Sequence, residues 1–206
     1  MGINVWYNFT KDVKEHSMTT GYSIELLFDD EFSAYVTELW QSCKKNNFSH
    51  YMQSIKGDVT PHIALSLYEG VHEEKITSLF KRYKNVKERS ASFESTAVCM
   101  FKDTFVTYIN VNVNRNMLNY FENVYNFFAE ISDNCSPYYV PSMIIPHISI
   151  SKCTSLQEAK TCWNHIADVF ERKTLTVKKI ALFRLIFDDE HKLTECNFLD
   201  EKILTD

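Results

Sequence analysis

Two segments of this 206-residue chain carry one short pattern, Pro61-His62-Ile63-Ala64-Leu65-Ser66 and Pro146-His147-Ile148-Ser149-Ile150-Ser151. Successive side chains of a strand point to opposite faces, so His62, Ala64 and Ser66 are expected on one face. His147, Ser149 and Ser151 likewise share a face, while Ile63, Leu65, Ile148 and Ile150 turn towards a packed layer. The proline fixes where each strand starts and sets the histidine at its mouth. Imidazole ionises near neutrality, so one histidine can take a proton while the other gives one. Displacement at a phosphodiester needs that combination: a base for the attacking hydroxyl or water and an acid for the leaving oxygen. A hydroxyl two residues along the strand can donate to a non-bridging phosphate oxygen. No metal is required, because the imidazolium itself offsets developing charge. A single motif of this kind is usually structural; two in equivalent places are much harder to explain as packing.

The elements that must position these residues follow from periodicity. A strand is expected over Tyr22–Phe28, then a helix capped by Asp29 or Asp30 and running to about Lys45, with Phe32, Val36, Leu39 and Cys43 on one stripe. Residues 46–60 read as a loop before a strand at His62–Tyr68. A helix follows over Glu73–Lys84, then strands near Ser92–Phe101 and Thr104–Val113. Residues 116–131 form a further helix, and 134–145 a loop into the strand His147–Ser151. A capping box, Ser155 with Glu158, opens the next helix. Two strands, Leu175–Phe187 and about Leu193–Leu199, close the chain. The second half restates the element order of the first, and the two histidines, at 62 and 147, stand 85 residues apart. The expected class is α+β, with two sheets facing one another across a cleft and helices packed outside. Residues 1–20 are polar and weakly patterned, an N-terminal extension with Trp6, Tyr7 and Phe9 as docking points. Residues 21–206 make one bilobal domain, its lobes roughly 21–103 and 104–206.

Composition narrows the function classes. A net charge of −5 argues against a protein that coats long nucleic acids by counterion release, but leaves room for a small basic pocket. With four glycines in all, neither a Walker loop nor a dinucleotide-binding loop can be assembled. No His/Cys/Asp/Glu spacing resembles a zinc or iron site, so no metal and no cofactor is expected. Cys43, Cys99, Cys135, Cys153, Cys162 and Cys196 form no CxxC pair and read as reduced thiols. With no apolar leader and no run of membrane-spanning length, the expectation is a cytoplasmic monomer without membrane contact.

On the two motifs, the chain resembles the two-histidine phosphoesterase superfamily, whose mark is a duplicated His-x-Thr/Ser among apolar residues. The run Gly21-Tyr22-Ser23-Ile24-Glu25-Leu26-Leu27-Phe28-Asp29, leading through Leu39-Trp40 to Pro61-His62, is similar to the 2′-5′ RNA ligase-like branch. The resemblance covers about residues 20–200 by element order and is specific only at the motifs. It implies two lobes related by a pseudo-twofold axis, with an active-site groove between their sheets. It also implies catalysis on 2′,3′-cyclic phosphates or 2′-5′ linkages of RNA ends or short oligonucleotides, by hydrolysis or ligation. His62 and His147 then become the acid–base pair and Ser149 a phosphate donor. Ala64 departs from the pattern, since a hydroxyl is expected there. Ser66, on the same face, stands in only if the substrate sits deeper. Two other readings stay open: degradation of signalling oligonucleotides such as 2′-5′ oligoadenylate or cyclic oligonucleotides, and a decayed nucleotide-binding module on the same fold.

Around the motifs, Tyr138 and Tyr139 are candidates for base stacking over the groove. Lys152 and Arg184 are candidate phosphate partners. His16, His50, His72, His165 and His191 read as ordinary loop or helix residues.

Overall fold

The computed structural model describes residues 18–49 and 51–205; Trp6, Tyr7, Phe9, His16 and His50 lie outside the described residues. The chain begins with β1 (Thr19–Phe28), whose first two residues reach into the expected extension, and α1 (Asp30–Lys45). The Asp29 carboxylate accepts the Phe32 N–H and so caps α1, with Phe32, Val36, Leu39 and Cys43 buried as their spacing requires. The expected loop holds two short elements, α2 (Tyr51–Ser54) and β2 (Lys56–Gly57). β3 (His62–Glu69), α3 (Glu73–Tyr83), β4 (Ala91–Phe101) and β5 (Val106–Val111) follow. α4 (Arg115–Phe127) ends earlier than its apolar spacing suggests and gives way to 3-10 turns at Ala129–Asn134 and Pro137–Tyr139. β6 (His147–Lys152), α5 (Leu156–Val169), β7 (Thr174–Phe187) and β8 (Leu193–Ile203) complete the chain. Ser155 caps α5 as expected, but the Glu158 carboxylate returns to the Thr154 N–H and hydroxyl.

The fold is α+β, and its duplication is visible in the strand pairing. β1 pairs antiparallel with β3, and β5 pairs antiparallel with β6. The third strand of each half crosses over: β4 joins β5, and β7 joins β1. The sheet β3-β1-β7 therefore mirrors the sheet β6-β5-β4. Each half therefore lends its last strand to the sheet of the other. The two sheets are also continuous, since Ala91–Glu94 of β4 pairs with Thr174–Val177 of β7. β8 extends the β7 edge, and β2 pairs with β8 in parallel.

The main core lies on the helix side, where Ile24, Leu26, Ile63, Ile148, Ile180 and Leu182 pack under the helices. A smaller apolar cluster, with Ala181, Phe183, Leu185 and Phe187, covers the opposite face of β7. All six cysteines are free thiols; Cys43 and Cys162, both buried, lie with sulfurs 3.5 Å apart between α1 and α5. Among the described residues no helix is long and apolar enough to cross a membrane.

Candidate active site

His62 and His147 each open a strand, and each is held in the same way. The His62 Nδ1 lies 2.8 Å from the Thr60 carbonyl, and the His147 Nδ1 lies 2.7 Å from the Ile145 carbonyl. A carbonyl only accepts, so Nδ1 carries the hydrogen in both rings and Nε2 is the atom left for chemistry. The proline between histidine and carbonyl acceptor fixes its own φ and so holds the turn in place. Both rings are half-buried. They are near enough that the charge of His62 acts on His147, whose pKa lies below the usual imidazole value. Burial is the main cause; the Ile145 carbonyl opposes it, and His62 adds to it.

Their surroundings differ. His147 stands edge-on to Phe101 and Tyr108, with ring centroids 5.0 and 5.5 Å away. Those two rings stack on each other at 4.2 Å. His62 instead faces a carboxylate, with Glu25 Oε2 3.3 Å from its Nδ1. Glu25 is 3% exposed and accepts a hydrogen bond from the Ser23 hydroxyl. Tyr139 comes close to the same carboxylate, because Ser136 donates its N–H to the Leu67 carbonyl and docks the connection onto β3. Burial, then the charges of Glu25 and Cys135, push the Tyr139 hydroxyl up to about 12. Phe101, Tyr108 and Glu25 were not singled out from sequence. Glu25 had a signal, as the one charged residue between Tyr22 and Phe28; the two aromatics had none.

The alternation expected along the motif strands fails at one point, and at the same point in both. Ile24 pairs with Ser66 and Glu25 with Ala64, which leaves Leu65 as an extra residue. Thr107 pairs with Ser151 and Tyr108 with Ser149, which leaves Ile150 extra. A β-bulge of this kind turns two consecutive side chains to one side. Ser66 and Ser151, each 1% exposed, therefore go into the core and do not share a face with the histidines. Ser151 accepts a bond from the Cys162 thiol there. Beyond each bulge the histidine face is resumed by Leu67 and by Lys152. The Lys152 ammonium sits 5.2 Å from the centre of the Tyr51 ring. Ser149 keeps its expected face, half-buried beside Tyr108, and its carbonyl accepts the Trp40 indole N–H at 2.9 Å. Ala64 is the direct cross-strand neighbour of Glu25.

Arg184 is not part of this group. It follows Leu182 at a spacing of two, on the helix side of β7, and pairs with Glu73 at 3.2 Å. Tyr138 points away, 78% exposed, while its neighbour Tyr139 turns in. His72 precedes α3, His165 meets the Ser42 hydroxyl, and His191 contacts Glu69 and stacks on Phe187. Among the described residues no group of three or more His, Cys, Asp or Glu side chains is placed to hold a metal ion. Two surface hollows of about 300 Å³, one beside Tyr35 and Lys173, the other beside Glu69 and Asn134, include neither histidine.

No family model and no curated protein matches the sequence. Solved structures do match in three dimensions. Escherichia coli LigT in its apo form superposes with a TM-score of 0.61 at 14% identity, over 92% of this chain and 100% of LigT. A phosphoesterase crystal structure gives 0.59 at 14%, over 92% and 99%. TT0787 of Thermus thermophilus gives 0.59 at 13%, over 89% and 97%. With its crossed-over strands and a histidine opening each of two matched, bulged strands, the chain has a LigT-like fold.

Proposed function

We propose that the chain is a metal-independent phosphoesterase acting on RNA or oligonucleotide ends, at 2′,3′-cyclic phosphates or 2′-5′ linkages, with His62 and His147 as its acid and base. One observation carries this reading: two imidazoles, locked in the same tautomer by matched backbone carbonyls, present Nε2 at the place where β3 and β6 meet. A structural histidine tends to use both nitrogens; among the described residues only one is engaged in each ring. Crystals of LigT with 3′-AMP, with ATP and with NADP+ favour a nucleotide-like ligand, because each of these carries a phosphate next to a ribose. A decayed binder on the same fold is disfavoured by the duplicated tautomer lock, which fits proton transfer better than simple binding.

The test is a panel of short 2′,3′-cyclic, 2′-5′-linked and cyclic oligonucleotides incubated with EDTA, the products read by mass spectrometry. Turnover is expected to survive chelation, because two histidines supply both proton transfers. Loss in EDTA with recovery on adding a divalent ion would show that the mechanism is wrong.

Ser149 is the one hydroxyl that both motif strands together keep on the histidine face, so phosphate orientation leans on it. Ser149→Ala is expected to lower kcat by about 10²–10³-fold, with unfolding unchanged. A variant as fast as the wild type would remove Ser149 from the site.

A further inference from the structure

We propose that Cys43 and Cys162 are a peroxide-sensitive dithiol, whose reversible disulfide clamps α1 to α5 and takes a hydrogen-bond partner from Ser151 on the strand that His147 opens. The inference is independent of the reaction at the two histidines.

The two thiols come from opposite halves of the chain and meet inside the helix layer. Cys43 lies in the last turn of α1 and is 1% exposed; Cys162, in α5, is fully buried. Their sulfurs are 3.5 Å apart. A disulfide needs about 2 Å, so a closure of about 1.5 Å joins them. Neighbouring contacts hold the pair in register. The hydroxyl of Ser42, next to Cys43, is 2.7 Å from Nε2 of His165, one turn beyond Cys162, and the His165 ring lies 5.0 Å from that of Phe48.

Buried cysteines usually act as small inert apolar residues. Cys162 differs in its polar surroundings. The Cys43 thiol, pointing at its sulfur, holds the Cys162 pKa below the usual thiol value; burial opposes this, and Ser151 and Cys153 add to it. Cys43, which keeps its proton in that contact, is pushed up. The Ser151 hydroxyl, 3.1 Å from the Cys162 sulfur, accepts from the thiol and can turn to donate to the thiolate. Cys162 is therefore the nucleophile and Cys43 the thiol that resolves it. The hollow beside Tyr35 lies over the same helix seam, walled by Leu39 and Ser42 of α1 and Val169 of α5, and brings a small neutral oxidant to the residue beside Cys43.

The co-reactant is hydrogen peroxide. The Cys162 thiolate attacks one peroxide oxygen, the O–O bond breaks, and the departing hydroxide leaves as water with the proton that the thiol gave up. Cys43 attacks the resulting sulfenic sulfur; the S–S bond forms, the S–O bond breaks, and the Cys43 proton leaves with the hydroxyl as a second water. The two thiols have lost two electrons and the peroxide has gained them. A dithiol reductant reverses the step by exchange. The disulfide carries no S–H, so the buried Ser151 loses its partner. Because the Trp40 indole of α1 also holds the Ser149 carbonyl, drawing α1 towards α5 pulls on β6 at a second point.

The experiment treats the full chain with increasing hydrogen peroxide, quenches in acid, alkylates under denaturing conditions and maps thiols and linked peptides by mass spectrometry. All six cysteines start as thiols, so the expected first product keeps four of them, shows a Cys43–Cys162 linked peptide, and regains all six with dithiothreitol. The partly exposed Cys99 and Cys135 are the internal comparison. If either is oxidised while Cys43 and Cys162 stay reduced, or if Cys162 links to Cys153 instead, the proposal is wrong. Cys43→Ser should form no linked peptide at Cys162; a disulfide there at the wild-type rate would remove Cys43 from the pair. The wild-type map needs no variant and decides the pairing whether or not Cys43→Ser folds. The NMR signals of the His147 ring should shift on oxidation and return on reduction. Signals that stay in place in the disulfide form would overturn the coupling to β6.

Discussion

His62→Ala and His147→Ala are each expected to lower kcat by about 10²–10⁴-fold, the usual contribution of one general acid or base. Unfolding should hardly change in His147→Ala, because the half-buried ring makes a single backbone hydrogen bond. The two losses should not multiply in the double variant, since acid and base act in one step. The wild-type pH profile has a definite sign. With His147 as the base of the proposed pair, it must be neutral to accept a proton, and its pKa is depressed below the usual 6.5, mainly by burial. Activity therefore rises with pH through a value below 6.5 and is lost as pH falls and His147 charges. In His147→Ala the residual rate should lack that acid limb. Full activity in either variant, read by steady-state kinetics on the best substrate of the panel, would make the motifs structural.

The largest effect on stability is expected from Lys202→Met, far from the histidines. Lys202, on β8, has a side chain only 7% exposed, and its ammonium bonds the Val86 carbonyl at 2.6 Å and the Glu88 carboxylate at 2.9 Å. It also lies 4.6 Å from the centre of the Tyr83 ring, whose hydroxyl donates to Glu88. The Glu88 side chain is 3% exposed, so methionine leaves a buried carboxylate without its cation, at a cost of about 3–5 kcal/mol. For a chain of this size that lowers Tm by roughly 10 °C. Adding Glu88→Gln should restore a good part of the loss, because the stranded charge is then gone. The exposed pair Arg82–Glu130 has both side chains more than half in water and should contribute under about 1 kcal/mol. Thermal unfolding of Lys202→Met, of the double variant and of Arg82→Ala separates these cases; a Lys202→Met protein as stable as the wild type would mean that Glu88 finds other donors.

Local chemistry was legible in the residues themselves. The stripe Phe32, Val36, Leu39 and Cys43, the caps at Asp29 and Ser155, and the apolar positions of the motif strands depend on period and on nearby backbone groups. Those are short-range properties, and the sequence alone determined them, along with the duplicated order of elements and the place of each histidine at the mouth of a strand. The short pair α2 and β2 was not legible. A two-residue strand has no period, and β2 is defined by parallel pairing with β8. Gly57 is needed there because a Cβ would stand 2.2 Å from the Cys196 carbonyl oxygen.

Tertiary structure alone decided the rest. Side-chain alternation says which face a residue takes, not which strand lies alongside, so the exchange of β4 and β7 between halves could not be read from it. The bulges were hidden for a related reason. Leu65-Ser66 and Ile150-Ser151 each join an apolar residue to a small one, and serine is compatible with either face. Only the register against β1 and β5 shows that one residue is extra, which sends Ser66 and Ser151 inward and turns Lys152 to the histidine face of β6. The contact of Glu25 with His62 depends on that register too. Residues 37 positions apart meet because backbone hydrogen bonds align two strands, and no local propensity encodes that alignment.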